Sequence, residues 1–165
     1  MGGHIWLESV QGKGSAFFFT IPVGVLADDK SLDYRNSVQK TLKPLILIAD
    51  DETSSSQFVQ SILNKEGIDS FVVSDGKHAV EACHQNQMIS MVLMDLKMPF
   101  MDGFEATKRI KSLCPDLIVI AVTAYALSGD EKRALDAGCD DYIAKPFEKE
   151  MLLKKLRKYG TTGSL

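Results

Sequence analysis

From residue 44 onward, short apolar runs alternate with stretches in which apolar residues recur every three or four positions. The runs at 45–50, 69–74, 91–95, 117–122 and 141–144 predict β-strands, and their nearly continuous Val, Ile, Leu and Met content predicts burial on both faces. The segments between them predict helices. Ser54 with Gln57 three residues on forms a capping-box pattern, Phe58, Val59, Ile62 and Leu63 make one apolar face, and Gly67 ends the helix. A second helix begins after Asp75 and buries Ala79, Val80 and Cys83; a third follows Asp102-Gly103 with Phe104, Thr107 and Ile110 inward. The fourth runs from Ser128 to Gly138, and the last, from Glu148, turns Met151, Leu152 and Leu156 inward. Five strand–helix alternations imply an α/β fold, a doubly wound (βα)5 sandwich built on a five-stranded parallel sheet.

In such a sheet, ligands bind beyond the carboxyl ends of the strands where strand order reverses. With order 2-1-3-4-5 that point lies between the first and third strands. The run Leu45-Ile46-Leu47-Ile48-Ala49 ends on Asp50-Asp51, and Met91-Val92-Leu93-Met94 ends on Asp95. Three carboxylates therefore meet in one crevice, where their mutual repulsion calls for a cation. Thr123 closes the fourth strand and Lys145-Pro146 the fifth, so a hydroxyl and an ammonium reach the same rim. This set suits phosphoryl transfer to a carboxylate: Mg²⁺ neutralises the acids, Lys145 and Thr123 hold phosphoryl oxygens, and Asp95 is the candidate nucleophile. Singly, each element has a plain reading. Asp pairs recur at 28–29 and 140–141 as solvated turns or caps, Thr123 could be a strand end, and Lys-Pro a turn; their joint placement on successive strand ends favours the functional reading.

Composition narrows the field less. At 165 residues with net charge −3, the chain suits one domain plus extra sequence and is a poor match for a nucleic-acid surface. It carries no apolar stretch long enough for a bilayer span and no export signal at its start, so it reads as cytoplasmic, without direct membrane contact. Cys83, Cys114 and Cys139 fit no zinc spacing and read as reduced thiols. The run Lys154, Lys155, Arg157 and Lys158 reads as a solvated helix end. Residues 1–43 hold five basic and four acidic residues against 14 and 18 in 44–165, which puts a boundary near 43.

Residues 44–160 resemble the receiver domain of two-component response regulators, which have the flavodoxin-like fold. The carriers are Met94-Asp95-Leu96-Lys97-Met98-Pro99-Phe100-Met101-Asp102-Gly103 together with Asp50-Asp51, Thr123-Ala124 and Lys145-Pro146-Phe147. The resemblance implies that Asp95 accepts phosphate from a phosphohistidine, and that Asp51, Asp95 and the Lys97 carbonyl bind Mg²⁺ with Asp50 assisting. It also implies that the Ala124 backbone flanks the phosphoryl group, that Thr123 and Tyr142 form a switch pair, and that the bond before Pro146 is cis. Lys97 and Tyr125 fall at positions that tune dephosphorylation. The implied partners are the dimerisation and phosphotransfer domain of a histidine kinase or a histidine phosphotransfer protein.

Met1-Gly2-Gly3-His4-Ile5-Trp6-Leu7-Glu8-Ser9 with Gly12-Lys13-Gly14-Ser15-Ala16-Phe17-Phe18-Phe19-Thr20-Ile21-Pro22 resembles the closing β-hairpin of a histidine-kinase ATP-binding domain. The chain then reads as a hybrid histidine kinase reduced to hairpin (1–22), linker (23–43), receiver (44–160) and tail (161–165), without the kinase's catalytic parts and without an output domain. His4, His78 and His84 are not phosphodonors on this reading. A lone hairpin is weak in water, so its apolar residues would favour docking or weak self-association.

Three other readings compete. A haloacid-dehalogenase-like phosphatase resembles Asp-x-Asp after its first strand, and here the pair is adjacent. An FMN binder would place its phosphate against Asp50, Asp51 and Glu52, which repel it. A phosphorylation-independent docking module would leave a complete reactive set unused.

Overall fold

The computed structural model describes residues 5–10, 14–19, 44–124 and 130–160. The chain forms two compact units, Met1–Thr41 and Leu42–Leu165. In the first, β1 (Ile5–Val10) and β2 (Gly14–Phe19) pair antiparallel, with Ile5 opposite Phe19 and Val10 opposite Gly14. Residues 23–43 and 161–165, assigned above to linker and tail, lie outside the described residues, as do Tyr125 and Ser128.

The second unit runs β3 (Leu45–Ala49), α1 (Thr53–Lys65), β4 (Asp69–Val73), α2 (Gly76–Gln85), β5 (Ile89–Met94), α3 (Gly103–Leu113), β6 (Ile118–Thr123), α4 (Asp130–Asp136), β7 (Asp141–Ala144) and α5 (Lys149–Lys158). Its five strands are parallel in the order β4-β3-β5-β6-β7, the 2-1-3-4-5 order expected from the sequence. Side chains alternate across the sheet. Ile46, Ile48, Met91, Leu93, Ile120 and Ile143 meet Val59, Ile62 and Leu63 of α1 and Leu152, Leu153 and Leu156 of α5. Leu47, Ala49, Val92, Met94, Val119 and Ala121 meet Ala79 and Cys83 of α2, Ala106 and Ile110 of α3 and Ala134 of α4. Burying each large aliphatic side chain contributes roughly 1.5–3 kcal/mol, so two such layers fix the sheet between its helices.

Several local expectations give way to tertiary context. Ser54 does not cap α1: Glu52 is the N-cap, Ser54 Oγ donates to its carboxylate at 2.7 Å, and Ser56 N closes the turn on Glu52 O at 3.0 Å. Phe58 and Met151 are half exposed, because Val59 and Leu152 beside them take the inward positions. The strand β4 is not buried on both faces, being an edge strand with Asp69 and Val72 exposed. Asp75 and Asp102 do cap α2 and α3, accepting from His78 N at 2.9 Å and Glu105 N at 2.8 Å. Cys83 and Cys139 are buried free thiols and Cys114 is half buried. Burial, and then the neighbouring Cys114, push the Cys83 thiol up to about 12, which leaves it protonated and unreactive.

Two further corrections lie at the amino end of β7. Asp140 and Asp141 are not a solvated turn, and of the basic run on α5 Lys155 and Lys158 are ion-paired whereas Lys154 and Arg157 are exposed. Asp140 accepts from Lys111 Nζ and from Val119 N, both at 2.7 Å. Asp141 is 9% exposed and accepts from Lys155, from Lys158 at 2.9 Å and from Tyr159 Oη at 3.2 Å, which ties α5 to the sheet. Burial works to raise the Asp141 carboxyl, but hydrogen bonds from Lys155, Lys158 and the Tyr142 amide outweigh it and hold it well below the usual carboxylate range. A depressed folded value gives stability that is complete above the unfolded value of about 4 and is lost as the pH falls through the folded one. Asp141→Asn is therefore expected to lower the urea midpoint at pH 7, and the gap from wild type should narrow by about pH 3.5.

Candidate functional site

The three acids are set by the sheet ladder itself. Just past β3, Asp50 N still donates to Val73 O at 3.0 Å; just past β5, Asp95 N donates to Ala49 O at 2.8 Å. Both residues thus leave the sheet in register, on neighbouring strands about 4.8 Å apart. Lys145 N likewise donates to Thr123 O at 2.8 Å, which fixes Lys145 one residue beyond β7. From there the four-carbon stem must pass across β6 to reach β5, a span a shorter cation would not cover.

Asp50 and Asp95 are buried, at 5% and 8% exposure, whereas Asp51 is exposed. Oxygens of all three lie within 4.8 Å of one another. Lys145 Nζ donates to Asp50 Oδ2 at 2.7 Å and to Asp95 Oδ2 at 2.9 Å. Half-burial works against its positive charge, yet the hydrogen bonds to Asp50 and Asp95 prevail and raise it above an ordinary lysine. The remaining carboxylate oxygens have partners too. Asp50 Oδ1 accepts from Glu52 N at 3.0 Å, Asp50 Oδ2 from Ser55 Oγ at 2.6 Å, and Asp95 Oδ1 from Lys97 N at 2.9 Å. Among the described residues these contacts set one ammonium against three carboxylates, and that surplus of acid at a water-accessible crevice fits one hard divalent cation.

Around this centre the other sequence candidates are spread unevenly. Thr123 is fully buried at the end of β6, Ala124 follows it exposed, and Tyr142 on β7 is half buried. Lys97 is exposed; its amide holds Asp95. The Lys145–Pro146 bond is cis. A cleft of about 440 Å³ opens beside the site, bordered by Leu96, Lys97, Met98, Asp102, Phe104, Thr123 and Arg133.

Two contributors had no place in the sequence reading of the site. Ser55 is one: its hydroxyl, five residues after Asp50 on the first turn of α1, reaches the Asp50 carboxylate. Gly103 was read as a helix boundary. A Cβ there would lie 2.1 Å from Asp95 O and 2.8 Å from Leu96 Cα, so α3 begins directly against the backbone of Asp95. Gly103 N donates to Leu96 O at 3.1 Å across that contact.

A parallel sheet in this order with this acid set at its switch point is the arrangement of a receiver domain. The chain belongs to the response regulator receiver domain family, whose match spans residues 46–157. It is 35% identical to hybrid signal transduction histidine kinase I of Dictyostelium discoideum over 65% of this chain and 7% of that protein. Sensor protein EvgS of Escherichia coli K12 is 31% identical over 92% of this chain and 13% of its own length, so that match reaches into residues 1–43. The chain thus spans only a small part of these kinases. Among solved structures it resembles the receiver domain of sensor histidine kinase PA1611 of Pseudomonas aeruginosa, which has a magnesium ion in its active-site cleft. The TM-score is 0.66 at 32% identity, covering 70% of this chain and 96% of that one. It also resembles a co-crystal structure of the Saccharomyces cerevisiae phosphotransfer protein Ypd1 with the Ssk1 receiver: TM-score 0.67, 28% identity, 72% of this chain and 89% of that one. No helix among the described residues is long and apolar enough to cross a membrane.

The Gly103 contact leaves no room for a methyl group. Gly103→Ala is expected to destabilise the domain by about 3 kcal/mol, since the clash is with backbone that cannot rotate away. Urea denaturation of the two proteins measures it; an unchanged midpoint would contradict the close approach.

Proposed function

We propose that Asp95 is the phosphoacceptor of a two-component phosphorelay and that Asp50, Asp51, Asp95 and the Lys97 carbonyl hold Mg²⁺ for the transfer. The observation that carries this reading is the pairing of Asp95 with Lys145 inside a cluster with a surplus of acid. When bound, the metal would supply charge neutralisation between the acids and the incoming phosphoryl group. Every other role falls to the chain. The Lys97 amide holds Asp95 Oδ1 and the Lys145 ammonium holds Oδ2, which orients the carboxylate toward the crevice mouth. A carboxylate oxygen attacks phosphorus, the P–N bond of the phosphohistidine breaks, and the imidazole leaves with the electron pair, giving an acyl phosphate on Asp95. Lys145, the Ala124 amide and the Thr123 hydroxyl are the donors assigned to the phosphoryl oxygens.

The donor in this reading is a histidine kinase phosphotransfer domain or a histidine phosphotransfer protein, a choice supported by the Ypd1–Ssk1 receiver complex among the structural relatives. Thr123 and Tyr142 are assigned as the switch pair that passes the phosphorylation state to a partner-binding face. Tyr125 and Lys97 are assigned to control of the phosphoryl lifetime. The first 22 residues are read as the last hairpin of a kinase ATP-binding domain, supported by the reach of the EvgS match into that region.

Incubation with acetyl phosphate and Mg²⁺ is expected to add one phosphoryl group, about 80 Da, to the wild type and none to Asp95→Asn, as read by intact-mass spectrometry. Equal labelling of both would refute the assignment of Asp95. Millimolar Mg²⁺ alone should raise the melting temperature of the wild type, because a ligand that binds only the folded state stabilises it. Asp51→Asn should lose most of that shift, and a full shift in the variant would remove Asp51 from the ligand set.

A further inference from the structure

Phe100 is the most exposed large apolar side chain among the described residues, at 98%. Its φ is +66°, the left-handed region that a residue with a bulky side chain avoids. Met101 N donates to Pro99 O at 2.7 Å across it, so Phe100 is the central residue of a γ-turn with positive φ, the rare and strained form. The ring thus forgoes burial, and its backbone takes up a disfavoured conformation to present it. Among the described residues no side chain covers the ring.

The loop that carries it is firmly held. Leu96 and Met98 are buried beneath it, Gly103 N donates to Leu96 O at 3.1 Å at its base, and Gly76 N donates to Met101 O at 3.2 Å on its flank. A Cβ on Gly76 would come within 2.5 Å of that same oxygen, so the α2 start is seated directly on the loop. Phe100 therefore projects from a rigid support five residues after Asp95, at the carboxyl end of the sheet where the acids open to solvent.

We infer that Phe100 is a positioning residue for the phosphodonor: its ring docks in an apolar slot beside the phosphohistidine on a helix of the donor protein. This rests on the phosphoacceptor reading of Asp95. To form a bond to an Asp95 oxygen, the donor's phosphorus must enter the crevice, and the donor surface around its histidine then covers the loop tip. A helix that exposes a histidine presents the residues three and four positions away on the same face, and an apolar pair there makes the slot for the ring. Because the backbone of the loop is already held, docking orders only the two side-chain torsions of the ring, which suits it to orient a partner.

The test compares two donors on three proteins. Phe100→Asn removes the ring but keeps a residue that tolerates left-handed backbone, and Phe100→Tyr retains an aromatic ring. With phosphorylated yeast Ypd1 as donor, Phe100→Asn is expected to lower kcat/KM about tenfold, mainly through KM, with Phe100→Tyr near wild type. With acetyl phosphate, which is too small to touch the loop tip, all three should react at the same rate. Equal rates for wild type and Phe100→Asn with Ypd1, or a parallel loss with acetyl phosphate, would overturn the inference. Failure of the wild type itself to react with acetyl phosphate would instead sink the phosphoacceptor reading, and this one with it.

Discussion

The ammonium of Lys145 between two buried carboxylates is the contact on which the arrangement of this molecule turns. At about 3 Å and an effective dielectric near 20, each pairing is worth roughly 5 kcal/mol of gross attraction. Removing three charges from water costs several kcal/mol apiece, so gain and cost nearly cancel. The triad is thus a weak source of stability and a poised one. Lys145 can shift toward a new anion at small net cost, whereas removing it altogether would strand Asp50 and Asp95 with like charges side by side. The sheet must in turn be rigid enough to deliver three side chains from β3, β5 and β7 to one point, and that demand accounts for the two full apolar layers on its faces.

Much of this was legible in the sequence because it depends on strand ends. A buried parallel strand is a continuous apolar run, and the first polar residue after it marks the carboxyl end, where ligands gather. Asp50, Asp95, Thr123 and Lys145 stand out that way, and strand–helix alternation marks the sheet as parallel without fixing the order of its strands. What escaped was decided by neighbours distant in sequence. Phe58 and Met151 satisfy a helical apolar period, yet which side of a wide stripe faces inward depends on how α1 and α5 settle against the sheet. The failure of Ser54 to cap α1 has a similar cause. Glu52 takes the N-cap position because its amide is already held by Asp50, so the helix start is set by the site and not by local capping preference. The closeness of Gly103 to Asp95 is a matter of backbone approach, which a glycine in a sequence marks only as a turn.

The loop from Leu96 to Gly103 joins these two sources of order. Its ends meet at the hydrogen bond from Gly103 to Leu96, its buried side chains belong to the α2–α3 core layer, and its first amide after Leu96 orients Asp95. Core packing on that face of the sheet therefore bears directly on the geometry of one carboxylate. A loose loop would blur the direction of attack, and a 1 Å error in a reacting group is costly.

The two ends of the sheet make the clearest argument for where chemistry resides. At the amino end of β7, Asp140 and Asp141 are met by Lys111, Lys155, Lys158, the Val119 amide and the Tyr159 hydroxyl. Three lysines meet two acids there, so no negative charge is left over, and the cluster fastens α3 and α5 to the sheet. At the carboxyl end a third acid, Asp51, stands in solvent beside a pair already sharing one lysine. The same residue type in the same kind of adjacent pair thus serves opposite ends: balanced charge makes an anchor, and surplus negative charge makes a site that gains stability only by admitting a cation. Charge balance, more than the presence of an Asp pair, separates structure from function in this fold.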